Sequence, residues 1–357
     1  MSNCLKTINL ENLRYNLKTI KSKLDKGVRL CAVIKDNAYG HGVKNVLNTI
    51  LCYADYLAVA NVVEGCTVRK ETDLPILILG EFENENLQSI VDNKLEVTVS
   101  CIDEINFLIN KLNTNSVGVH LAIDTGMHRL GFSSKKDFRQ ALKLISKHPN
   151  IILKGIYSHI GDANNSIRTT KQNLEFSQYY ALLPNTMHTI VHIANSDTTT
   201  KYNKMHYSMV RVGISMYGYG EDKNLRPVMS VFAKIVHLTT LKENALVGYG
   251  SEHLIKKGTS IATVSIGYGQ GYLRSNQKFG MVIINGKLCK IIANVCMDMV
   301  IVDVSNVNCH VGDYAVVMGC QGIHKIDANL LAIFNNTIPY EILTNFDKIK
   351  SSIVTHS

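Results

Sequence analysis

The chain has 357 residues, 46% of them hydrophobic and 19% charged, with a formal net charge of +9. At about 150 residues per domain that length suggests two domains and a core needing no disulfide or metal staple. This composition excludes a disordered chain, and the scattered Lys and Arg, without a run of five or six, read as a solvated basic surface rather than a nucleic-acid groove.

Nine cysteines, an odd number without a C-x-x-C pair, several inside apolar runs, read as reduced thiols of a cytoplasmic protein. The first residues, MSNCLKTINLENL, lack a signal pattern, and no apolar stretch reaches the ~18 residues of a membrane span.

Short apolar runs come in sequence: VRLCAVIK (28–35), DYLAVAN (55–61), PILILG (75–80), LEVTVS (95–100), VGVHLAID (117–124), LKGIYSH (153–159), TIVHIANS (189–196) and MVRVGISMYG (209–218). Near-continuous apolar runs of this length read as buried parallel strands. Between them, 42–54 places Val43, Val46, Leu47, Ile50 and Leu51 on one helical face, and 137–148 does so with Phe138, Leu142 and Ile145. Segments 84–92 and 171–183 also read as helices. Eight strand–helix units predict a (β/α)8 TIM barrel over residues 1–228, with a doubly wound open sheet as the rival. From 229 to 357 the texture changes to short β-type runs (VFAKIVHLTTL, SIATVSIGY, MVIINGKL, KIIANV, MVIVDV, YAVVMG) with turns between them and one helix near 327–335, which predicts a C-terminal all-β domain.

The barrel runs close on Lys35, Asn61, Ser100, Asp124, His159 and Ser196, with Arg211 inside the last. Polar residues ending barrel strands lie at the mouth where barrel enzymes keep their chemistry. The segment AVIKDNAYGHG (32–42) is the most distinctive: a lysine ending an apolar strand is expected to be desolvated, which makes its amine a better nucleophile. Taken singly, each residue has a plain structural reading too: His159 a buried histidine, Ser196 a helix cap, Tyr268 a core aromatic.

AVIKDNAYGHG resembles the pyridoxal-phosphate signature of the alanine racemase family. IDTGMHRLGF (123–132), GIYSHIGDA (155–163), HIANS (192–196), RVGISMYG (211–218), VGYGS (247–251), SIGYGQGYLR (265–274), NVCMDM (294–299) and TIPYEIL (337–343) resemble further blocks of it, in family order. The resemblance implies a barrel followed by a β domain. It also implies a homodimer in which one subunit's β domain completes the other's site.

It further implies a racemase of L- and D-alanine, supplying D-alanine for peptidoglycan precursors. Lys35 would form the Schiff base with pyridoxal 5'-phosphate and serve as one acid/base group. Tyr268, from the partner subunit, would serve the opposite face, since racemisation needs a proton removed on one side and returned on the other. Arg211 would face the pyridine nitrogen and, with His159, support Tyr268. Arg129 would donate to the cofactor's phenolic oxygen and hold the substrate carboxylate. Tyr39, Ser196 and the backbone of Gly213 and Ile214 would hold the phosphate, and the Met297 backbone would contact substrate. No metal is implied.

The sequence also departs from the family. The position of the family's carbamylated lysine is Ala122, so Arg129 needs another orienting group, such as a bound chloride. Gln270 replaces an Asp in GYGQG. The C-terminal R-V-P-R is missing, and the family's phosphate-binding tyrosine aligns with Lys348 beside the substrate's methyl. These changes leave serine, or both serine and alanine, as alternative substrates, as in the vancomycin-resistance racemases. A barrel that binds pyridoxal phosphate without turnover and a barrel decarboxylase are further alternatives. The former lacks a β domain and its tyrosine, and the latter is expected to use a Cys base.

Overall fold

The computed structural model describes residues 3–184, 189–251 and 253–354. The last three residues of the expected β domain, 355–357, lie outside them. Eight strands form one parallel sheet: β2 (Arg29–Val33), β3 (Tyr56–Val59), β4 (Ile76–Ile78), β5 (Glu96–Val99), β6 (Val117–Ala122), β7 (Ile151–Tyr157), β8 (Ile190–His192) and β9 (Met209–Val212). They follow chain order from β2 to β8, with β9 returning beside β2. The remaining seam, between β8 and β9, is bridged by Ser208 N–H to Val191 O (3.1 Å) and Arg211 N–H to Ala194 O (2.9 Å). The sheet is therefore a nearly closed barrel rather than the open-sheet rival, and each strand coincides with one of the apolar runs.

The helices outside it follow from their stripes and caps. Helix Lys135–Lys147 buries Phe138, Ala141, Leu142 and Ile145, and the Ser134 hydroxyl accepts from the Asp137 N–H. Helix Leu10–Lys21, which the pattern reading passed over, buries Leu13, Leu17 and Ile20 and is capped by Asn9. Its Asn16 amide donates to Met216 O (2.9 Å) and Arg226 O (2.8 Å), and its oxygen accepts from Arg226 N–H (2.8 Å). That clasp carries the chain from the last barrel strand toward the second sheet.

The second sheet has nine strands, built on β10 (Met229–Thr240). β10 pairs antiparallel with Tyr314–Gln321 and, through its later half, with Ser260–Val264. On its other edge lies β1 (Cys4–Asn9), a strand from the start of the chain, which pairs in turn with Ser351–Val354. KIIANV contributes only a single bridge, Ile291 to Val302, in place of the expected strand. Two helices, Ala328–Asn335 and Pro339–Asn345, make this part mostly rather than wholly β. The eight cysteines after Cys4 are free thiols, and among the described residues no helix is long and apolar enough to cross a membrane.

Candidate active site

A cavity of about 470 Å³ opens at the C-terminal ends of the barrel strands. Lys35, Tyr39, Arg129, His159, Ser196, Arg211, Gly213 and Ile214 all line it. Its described lining carries three cations and no carboxylate, so it is electrostatically shaped for an anion. A second cleft of about 650 Å³ on the barrel's outer side, beside Lys6, Glu64 and Lys70, shares no residue with it.

Lys35 leaves β2 into an unusual turn. Asp36, Asn37, Ala38 and Tyr39 all have positive φ, from 51° to 57°, giving one turn of left-handed helix without a glycine. Such a conformation costs roughly 1–2 kcal/mol per residue, so it persists only where the surroundings over-determine it. Glu64 accepts from the Asp36 N–H (2.7 Å), and the Asn37 amide donates to Asp347 (2.8 Å) while its oxygen accepts from Val43 N–H (2.8 Å). His41 Nδ1 lies 2.9 Å from Ala38 O. The buried Lys6 ammonium of β1 donates to Gly40 O (2.5 Å) and Phe346 O (3.1 Å). Lys35 itself departs from expectation. Its side chain is 40% exposed and its Nζ stands 3.5 Å from the Asp36 carboxylate, so in one chain its amine is not desolvated.

The opposite wall is a small cradle. Ser196 Oγ accepts from the Gly213 N–H at 3.0 Å. The hydroxyl of Tyr39 lies over Gly213, 2.3 Å from where a Cβ would stand. The Tyr39 ring packs against Tyr217 and Tyr340, with centroids 5.3 and 5.9 Å away.

Arg211 is buried and meets only neutral acceptors: His192 Nδ1 (2.8 Å), Ser158 O (2.8 Å) and His159 Nδ1 (3.2 Å). Tyr157 lies beneath it, ring centroid 5.0 Å from Cζ. A guanidinium keeps its proton, so His159 accepts on Nδ1 and its Nε2 carries the hydrogen. Burial, then the charges of Arg211, Arg129 and Lys35, pushes His159 down to about 3, which keeps it neutral. Arg129 is exposed and makes no hydrogen bond or ion pair among the described residues. Ala122 is buried and brings no polar side chain toward it.

Tyr268 and Met297 lie elsewhere in the single chain. Tyr268 is 43% exposed in a short turn of the second sheet region, lining a different cleft with Tyr249, Arg274 and Asn294. Met297 is exposed beside it, its carbonyl accepting from the Gly269 N–H at 2.7 Å. Gln270 has a reason to differ from Asp: its oxygen accepts from the Gly267 N–H (3.0 Å), and its amide donates to Asp298 (2.8 Å), which a carboxylate could not do.

Of the other strand-end residues, Asn61 caps helix Val62–Arg69, Ser100 pairs with Glu104, and Asp124 collects the N–H groups of Gly126, Met127 and His128. Lys348 is exposed and does not line the cavity. Tyr340, from TIPYEIL, lines the cavity instead. Tyr157 was also missed; its place next to Ser158–His159 at the end of β7 was the available signal.

Residues 8–221 match the model of the alanine racemase N-terminal domain, and 228–353 that of the alanine racemase C-terminal domain. A protein named alanine racemase from Vesicomyosocius okutanii is 34% identical over 96% of this chain and 97% of its own. The crystal structure of alanine racemase from E. faecalis superposes with a TM-score of 0.93 at 28% identity, covering 98% of this chain and 97% of that one. The structure of alanine racemase from Bartonella henselae with covalently bound pyridoxal phosphate shares the fold, with a TM-score of 0.89 at 24% identity over 99% of this chain and 100% of that one.

Proposed function

From the premise that this chain belongs to the alanine racemase family, we propose that it interconverts L- and D-alanine with pyridoxal 5'-phosphate held in the strand-end cavity. The observation that carries this reading is the cavity lining: one lysine, two arginines, a cradle under Gly213 and no carboxylate. That donor set fits an anionic phosphate ester with an aldehyde. Lys35 would anchor the group through its amine. Tyr39, Ser196, Gly213 and Ile214 would hold its phosphate, Arg211 would face its ring nitrogen and Arg129 its phenolic oxygen. When bound, the cofactor supplies an electron sink that acidifies the substrate's Cα–H.

The rest is work for the chain's own groups. Lys35 Nζ moves the Cα proton on one face, and Tyr268 of a second copy moves it on the other. A phenol near its ordinary pKa of ~10 is a poor base at neutral pH. His159 Nε2–H, directed by Arg211, donates to the tyrosine oxygen and favours its deprotonated form. Arg211, which keeps its own proton, would leave the ring nitrogen unprotonated and so limit how much negative charge the ring takes up. Arg129 and the Met297 backbone orient the substrate carboxylate. Exposure of Tyr268 and Met297 in one protomer supports a homodimer whose site is completed across the interface.

The test has two parts. Borohydride should trap the cofactor on the Lys35 peptide, and not in Lys35→Ala. Circular dichroism should show L-alanine racemised in preference to L-serine. A protein that traps cofactor but leaves both amino acids unchanged would overturn the assignment in favour of a binding barrel.

A further inference from the structure

Below the cavity, inside the barrel, a line of buried polar side chains extends from Arg211 away from the reacting groups. Arg211 Nη1 is 2.8 Å from His192 Nδ1. His192 Nε2 is 3.0 Å from His120 Nδ1, and His120 Nε2 is 2.8 Å from Glu96 Oε2. The Tyr56 hydroxyl also donates to Glu96 Oε2. Both histidines are fully buried, and Tyr56 and Glu96 are 2% and 9% exposed.

The two ends dictate every proton between them. A guanidinium only donates and a carboxylate only accepts. His192 must therefore accept on Nδ1 and carry its hydrogen on Nε2. His120 must accept that hydrogen on Nδ1 and present Nε2–H to Glu96. Both rings are neutral, and donation runs unbroken from Arg211 to Glu96. The charges agree with this. Burial, then the Arg211 charge, holds His192 well below the usual histidine range. Burial pushes the Glu96 carboxyl up, but His120, Tyr56 and Lys154 together hold it below its ordinary value.

The barrel wall leaves room for this line. A Cβ on Gly155 of β7 would stand 2.1 Å from His120 Nδ1, and one on Gly118 of β6 would stand 3.0 Å from Glu96 Cγ. Glycine inside a strand weakens it and marks a close approach. Here two adjacent strands each omit a side chain where the line runs.

We propose that Glu96 is a remote positioning residue for Arg211, acting through His120 and His192. It fixes the tautomer that offers Arg211 an acceptor, and it supplies the anion that the buried guanidinium does not meet directly. Its consequence for the cofactor rests on the reading above that Arg211 faces the ring nitrogen. The tautomers themselves do not depend on that reading.

The experiment uses holoenzyme labelled with ¹⁵N in its histidine rings. Long-range ¹H–¹⁵N correlation should find His120 and His192 both protonated on Nε2. Glu96→Gln keeps an acceptor oxygen for His120 and should keep both tautomers, with pyridoxal phosphate affinity within threefold of wild type. Glu96→Leu removes the acceptor and should shift the His192 tautomer and weaken cofactor affinity tenfold or more. A wild-type His192 protonated on Nδ1 would overturn the proposal without any variant. So would Glu96→Leu with unchanged tautomers and affinity. If the tautomers are as stated but no racemisation is found, the functional reading fails and the relay stands.

Discussion

Replacing Gly213 by alanine tests the cavity at its tightest point. The new Cβ would stand 2.3 Å from Tyr39 Oη and 2.8 Å from its Cζ. Ordinary carbon contacts lie near ~3.5 Å, so the ring must move by about 1 Å. It has little freedom to do so, because it packs on Tyr217 and Tyr340 and its backbone sits in the left-handed turn. Overpacking of this kind costs about 1–3 kcal/mol. Tyr39 and the 213 amide are both assigned to the phosphate, so the cost should fall on cofactor binding. At 1.4 kcal/mol per tenfold, pyridoxal phosphate should bind about 5- to 150-fold more weakly. Absorbance titration of the cofactor-free protein measures this, and urea unfolding in parallel separates loss of fold from loss of affinity. Affinity within twofold of wild type, with unchanged unfolding, would show that Tyr39 is not pinned over Gly213 and that the cradle is misread.

Tyr268→Phe should abolish racemisation of L-alanine while borohydride still traps the cofactor; wild-type rates would remove Tyr268 from the acid/base pair. Ser196→Ala removes a hydroxyl assigned to the phosphate and should weaken cofactor binding in equilibrium dialysis; unchanged affinity would remove Ser196 from the phosphate site. The fully buried His41 is pushed down to about 3, chiefly by burial. Below an unfolded value near ~6.5 the unfolded chain takes up a proton that the native ring refuses. Its contribution is therefore intact above that pH and lost at about 1.4 kcal/mol per unit on acidification toward 3, and His41→Gln should flatten the pH dependence of the urea midpoint by one proton.

The barrel was legible because buried parallel strands cannot hide: eight apolar runs became eight strands. The cavity was legible in part: Lys35, His159, Ser196 and Arg211 converge on it, while Asn61, Ser100 and Asp124 hold local helix starts and turns. The turn after Lys35 was not, since nothing in Asp36–Tyr39 announces a left-handed conformation. It is imposed by Glu64, Asp347 and Lys6, which lie 28 residues or more away along the chain. β1 was missed for a related reason. Its inward face, Cys4, Lys6 and Ile8, includes a lysine, and alternation counts a buried ammonium as an outward residue. Tyr340 lay inside the TIPYEIL block without a role, because only folding brings its ring against Tyr39, 301 residues away along the chain.

The position of β1 also governs when the site can exist. This strand is synthesised before both of its sheet neighbours, which begin at Met229 and Ser351. Until those arrive, Lys6 has no Phe346 carbonyl to bind, and Asn37 has no Asp347. The left-handed turn after Lys35 is thus among the last pieces to acquire its supports. A chain ending before Phe346 would contain every barrel strand and still lack these two supports. The interleaved strand therefore ties the turn after residue 35 to groups more than 300 residues further along the polypeptide.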